Sequence, residues 1–134
     1  MARAAVPKKS RLVADGALSP RVIFADPQVA AVGHTLASAE EAGLDVRAVD
    51  VGTSANAGGS FVGRNAPGTS RIVVDESRRV IVGATITGAE VAESLHAATI
   101  AVVAEVPLET LWHAVPTFPT RSELWLRLLE AYGL

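Results

Sequence analysis

Three histidines and the glutamate at position 123 hold the clearest acid–base potential in this chain. An imidazole exchanges a proton near neutral pH, and a neighbouring carboxylate can orient the ring and stabilise its charged form. His113 and Glu123 are the candidates for that chemistry. They bound the segment His113-Ala-Val-Pro-Thr-Phe-Pro-Thr-Arg-Ser-Glu123. Glu123 also has a structural use. Standing three residues after Thr120, it completes a capping box and can reach back to the Thr120 amide. His34 follows Gly33 in a turn and is expected to be solvated. His96 sits beside Leu95 in an apolar segment and is expected in a core or an interface. The chain has no cysteine, which excludes a disulfide framework and a Cys-based metal site. Gly58-Gly59-Ser-Phe-Val-Gly63 lacks the Gly-x-Gly-x-x-Gly spacing of a dinucleotide fingerprint, and no clear strand precedes it.

The elements that carry these residues follow from periodicity and punctuation. Residues 21–25 and 29–32 are apolar and β-branched around Asp26-Pro27, which predicts an opening strand with a break. A helix is expected over 35–42, with Ser38 as a candidate N-cap and Gly43 as its stop. Residues 45–51 read as a strand. The stretch 52–68, rich in Gly, Ser, Asn and Ala, reads as a long loop or wide hairpin with a short strand at Phe61-Val62. Residues 71–74 and 79–87 are strands joined by the polar connector 75–78. Gly83 within the second predicts a bulge or a close backbone approach. Residues 89–105 form an apolar helix with two greasy faces, which predicts burial on both sides, against its own sheet and a partner subunit. Pro107 opens a short helix over 108–114. Pro116 and Pro119 force an extended connector. Thr120 caps a last helix with Leu124, Leu128 and Leu129 as its core stripe, ended by Gly133. Trp112 and Trp125 flank the connector and are expected to pack in the core or an interface. Strands mixed with helices around a tight hairpin give an α+β fold: mainly antiparallel sheet, helices packed on one side.

With 134 residues, the chain is one domain of ordinary size. Residues 1–19, with basic Lys8-Lys9-Ser10-Arg11 and punctuated by Pro7, Gly16 and the following Pro20, read as a linker or N-terminal arm, or equally as a leader or disordered tail. Residues 20–134 are the folded unit. Hydrophobic residues make up 49% and charged residues 19%, so disorder is not expected. A net charge of −2 gives no electrostatic case for nucleic acid or an anionic membrane. No apolar run approaches the ~20 residues of a membrane-spanning helix. The N-terminus lacks a signal peptide's apolar stretch, so a cytoplasmic location is expected.

Three segments carry a family resemblance. Phe118-Pro119-Thr120-Arg121-Ser122-Glu123 resembles a His-Pro-Thr-x-Ser-Glu tail. Arg21-Val-Ile-Phe-Ala-Asp-Pro-Gln-Val-Ala-Ala-Val-Gly33 resembles a Phe-Thr-x-Pro-Glu-x-Ala-x-Val-Gly opening. Ile81-Val-Gly-Ala-Thr-Ile-Thr-Gly-Ala-Glu-Val-Ala-Glu-Ser-Leu95 resembles an Ile-x-Gly-x-x-x-x-Gly-x-x-Ala-x-Glu segment. In this order they are similar to the C-terminal dimerisation domain of the FAD-dependent pyridine nucleotide–disulfide oxidoreductases, the family of dihydrolipoamide dehydrogenase, glutathione reductase and mercuric reductase.

The resemblance implies a homodimer and, for a full-length enzyme, FAD and NAD(P) held by other domains of the same polypeptide. It implies that Phe118 and Pro119 line the flavin of the partner subunit. It also implies a loss: Phe118 stands where the family's catalytic histidine belongs. A second alignment sets His113-Ala-Val115-Pro-Thr117 against His-Ala-His-Pro-Thr and leaves valine at that position. Both lose the base that dithiol exchange needs. Electron transfer from nicotinamide through flavin to an acceptor such as a quinone needs no such base. Two other readings stay open: a stand-alone, non-catalytic dimerisation or interaction module, and a small ligand-binding domain using the 52–68 loop. The isolated chain is expected to bind no cofactor and to be inactive.

Overall fold

Asp75 shows how the central hairpin closes. Its Oδ1 accepts the backbone N–H groups of Ser77 at 3.0 Å and Arg78 at 3.1 Å, and its Oδ2 accepts from Arg78 Nε at 2.9 Å. The Arg78 guanidinium, helped by those amides, holds the buried Asp75 carboxyl below its ordinary pKa. In the computed structural model, which describes residues 16–63 and 65–134, this turn joins β4 (Thr69–Asp75) to β5 (Val80–Gly88). The other elements are β1 (Arg21–Ile23), β2 (Gln28–Gly33), α1 (Leu36–Glu41), β3 (Val46–Gly52), α2 (Leu95–Val103), α3 (Leu108–Leu111) and α4 (Glu123–Tyr132). The strands form one sheet in the order β1-β2-β5-β4-β3, every pair antiparallel. This is the expected α+β fold.

Alternation along the strands divides the apolar residues between two faces. Ala30, Val32, Val49, Ile72, Val74, Ile81, Ala84 and Ile86 face the helices and meet Leu95, Ala98 and Val102 of α2, Leu108 of α3, and Leu124, Leu128, Leu129 and Tyr132 of α4. Burial of each large aliphatic side chain here contributes ~1.5–3 kcal/mol. The short α1 lies on the other face, where Ala39, Leu36 and Leu44 pack on Val46, Val73, Val80 and Val82. The phase change in β5 comes from a bulge. Val73 pairs with Gly83 and Val74 with Ile81, leaving Val82 as the extra residue. Gly83 is needed beside it because any Cβ there would collide with the His34 carbonyl, whose own N–H donates to Val82 O at 2.9 Å.

Several local expectations are corrected. Residues 21–33 fold back as a hairpin, Arg21 pairing with Ala31 and Ile23 with Val29, because the Asp26-Pro27 turn reverses the chain. Thr35, not Ser38, is the N-cap of α1. Its backbone is extended, its Oγ1 accepts from the Ser38 amide at 3.1 Å, and Ser38 Oγ returns the bond from the Thr35 amide at 3.0 Å. Phe61-Val62 belongs to a 3-10 turn, Gly59–Val62, rather than a strand. The single helix expected over 89–105 is a left-handed Glu90, a 3-10 turn at Val91–Ser94 and then α2. Only one face of α2 is covered in the protomer. Leu95, Ala98, Ala101 and Val102 are buried, while Ile100 and Val103 are each 53% exposed. The helix after Pro107 ends at Leu111, short of the expected 114. The expected N-terminal arm falls mostly on residues 1–15, outside the described residues, while Gly16–Leu18 form a 3-10 turn.

Candidate functional site

The segment that bears the candidate residues leaves α3 and crosses the surface before α4. Val115 is 80% exposed and Phe118 is 74% exposed. The Phe118-Pro119 peptide is cis. Thr120 Oγ1 donates to Thr117 O at 2.5 Å, closing a turn beneath that tip. Glu123 points the other way and is buried, with 6% exposure. Its Oε2 accepts the Thr120 amide at 3.1 Å, the bond expected of the capping box, but α4 begins at Glu123 with Ser122, not Thr120, as its N-cap. The reciprocal half of the box is missing, since the Thr120 hydroxyl is turned to Thr117. In its place the same Oε2 accepts the Gly58 amide at 3.0 Å, across 65 residues of sequence.

Gly58 is a glycine for a steric reason. A Cβ there would overlap the carbonyl of Thr120, so the loop backbone lies directly on the tail backbone. The rest of the loop is tied down by its own side chains. Asn56 Oδ1 accepts the Gly59 amide at 2.7 Å, Ser54 Oγ donates to Ala66 O at 2.9 Å, and Thr53 Oγ1 donates to Thr87 O at 2.7 Å. The amides of Ser60, Phe61 and Gly63 are bonded to loop carbonyls. A phosphate cradle needs unspent N–H groups aimed at one point, and these are spent. The cavity beside Thr53, Gly59, Pro67 and Arg121 is ≈ 20 Å³, room for about one water. These residues do not fit a flavin or a nicotinamide dinucleotide. Beside the same cavity, the Arg121 guanidinium donates to the Ala89 carbonyl and pairs with Glu90 at 3.4 Å.

The two acid–base candidates are not bonded to each other. His113 is exposed just beyond α3, and Glu123 is satisfied by the two amides. His34 is half-buried rather than freely solvated, with Nδ1 3.1 Å from Ser38 Oγ. His96 is exposed on α2 and is not a core residue of the protomer. Among the described residues no group of three His, Cys, Asp or Glu side chains is placed to hold a metal ion. No helix among them is long and apolar enough to cross a membrane. Trp125 is half-buried and Trp112 is 38% exposed. Between α2, α3 and α4 runs an apolar groove of ≈ 190 Å³ lined by Ala97, Ala101, Leu111, Ala114, Trp125 and Leu129. Sequence reasoning named Glu123 but missed Gly58. A glycine in a polar loop carries no mark of which distant carboxylate it will meet.

The family described as "Pyridine nucleotide-disulphide oxidoreductase, dimerisation domain" matches residues 19–128. The chain belongs to this family. A dihydrolipoyl dehydrogenase of Rhizobium etli is 34% identical over 115 residues, covering 85% of this chain and 24% of that protein. A dihydrolipoyl dehydrogenase of Haloferax volcanii is 31% identical over 116 residues, covering 87% of this chain and 24% of that one. An HOCl-induced flavoprotein disulfide reductase from Escherichia coli shares the fold, with a TM-score of 0.79 at 24% identity over 92% of this chain and 28% of its own. This dimerisation domain therefore spans about a quarter of the length of such relatives.

Proposed function

We propose that this dimerisation domain serves a flavin-dependent NAD(P)H oxidoreductase that passes electrons from nicotinamide through FAD to an acceptor, without thiol–disulfide exchange at this tail. One observation carries the reading: the tip that the family resemblance directs toward the partner's flavin presents Phe118, 74% exposed. The neighbouring carboxylate is turned inward onto two backbone amides. A phenyl ring shields and packs but moves no proton, whereas a dithiol acceptor needs a base beside its sulfur. Because the loop amides are spent, FAD and NAD(P) belong to other domains of a longer polypeptide. The exposed faces of α2 and of the segment after α3 are the surface through which a homodimer forms.

The experiment is to express the longest reading frame that encodes this domain and assay NADH and NADPH oxidation with a quinone, with lipoamide and with glutathione disulfide. Bound FAD, quinone turnover and background disulfide turnover are expected. Rapid disulfide reduction by the wild type would refute the reading and turn attention to His113. The alternative, a stand-alone, non-catalytic dimerisation or interaction module, is favoured by the same spent amides. A reading frame with no upstream flavin-binding domain would decide for it.

A further inference from the structure

The tail is held at two points. Glu123 bonds it to the loop through the Gly58 amide at 3.0 Å, and Arg121 bonds it to the turn after β5 through the Ala89 carbonyl. The loop is itself anchored to the sheet, since Thr53 Oγ1 lies 2.8 Å from Ser70 Oγ and donates to Thr87 O. A buried carboxylate shared by two amides is a directional and strong contact. Closing the turn before α4 alone would have used only the Thr120 amide. The second bond, and a glycine whose backbone touches Thr120 with no space for a Cβ, serve the relation between loop and tail instead.

We infer that Gly58 and Glu123 are positioning residues, which register the tip Phe118-Pro119 against the sheet through the loop. The tip itself is exposed, so its orientation comes from its base and not from packing around the ring. The use of a fixed tip rests on the reading that it faces a flavin; the registration itself does not.

The test is residue-resolved NMR of the 134-residue chain and three variants. In Glu123→Ala the amides of Gly58 and Thr120 should exchange roughly 10–100-fold faster. Residues 117–119 should gain fast backbone motion, while β5 and α4 keep wild-type protection. Glu123→Gln, whose amide oxygen still accepts from both N–H groups, should restore most of the protection. Gly58→Ala should loosen Thr120 from the loop side with Glu123 still present. Unchanged Thr120 exchange in both alanine variants would overturn the inference. So would protection lost evenly through β5 and α4, which would make Glu123 a residue of global stability only. None of these readouts involves flavin, so failure of the flavoenzyme reading would leave them intact, and the reverse also holds.

Discussion

Replacing Ile100 and Val103 by alanine should weaken self-association far more than it weakens the fold. Each side chain is 53% exposed in the protomer, so folding has collected only about half of the ~1.5–3 kcal/mol that full burial yields. The proposed two-fold interface through α2 would bury both residues on both protomers. The four remaining halves together amount to ~3–6 kcal/mol. At ~1.4 kcal/mol per decade, the dimer dissociation constant should rise by roughly 10²–10⁴-fold. Sedimentation equilibrium across a dilution series measures this directly, and urea denaturation of the monomeric fraction checks that the fold survives. A dissociation constant within a fewfold of wild type would refute the assignment of this face. Wild-type protein that stays monomeric at tens of micromolar would refute self-association through the isolated domain.

Three further outcomes follow from the same structure. Leu128→Ala removes a side chain with 1% exposure between α4 and the sheet and should cost ~2–5 kcal/mol of stability by urea unfolding. The Asp75 carboxyl has a lowered pKa in the folded state through Arg78 and two amides, so the stability it adds is present above the ordinary aspartate pKa of ~3.9 and is lost as pH falls through its folded value; Asp75→Asn should flatten the acid limb of a stability–pH curve, and an unchanged limb would contradict this. Phe118→His in the isolated chain should create no disulfide reduction, and in a full-length enzyme with a Cys-x4-Cys pair it should raise such turnover by something on the order of 10²–10⁴.

The sheet and its helices were legible because periodic apolar residues leave a local trace. The β4–β5 hairpin, the loop at 52–68 and the stripe Leu124, Leu128, Leu129 could be read from neighbours in sequence. Gly83 announced the bulge because a glycine inside a strand has few other reasons to be there. The failures were at ends and faces. Thr35 and Ser38 both qualify as caps, and only backbone torsions decide between them. The helix over 89–105 looked continuous because alanine and valine hide a left-handed Glu90. At the candidate site, the resemblance sets Phe118 where the family's histidine is expected. The Gly58–Glu123 contact was not legible, since it joins positions that share no local pattern.

The order in which the core is completed has a consequence for synthesis. Helix α4 follows the other described elements of this domain in sequence and brings Leu124, Leu128, Leu129 and Tyr132 to a core whose other side is already laid down by β3 and β4. Tyr132 also ties back to the hairpin turn, where its hydroxyl donates to Glu76 Oε2 at 3.1 Å and receives Arg79 Nη1 at 3.2 Å. A ribosome releases residues from the N-terminus onward, so the nascent domain holds an open greasy trough until α4 emerges. Chains stopped after Ser122 should be cleaved quickly by a protease that spares the complete domain. A premature stop upstream of α4 should therefore leave a product that is readily degraded.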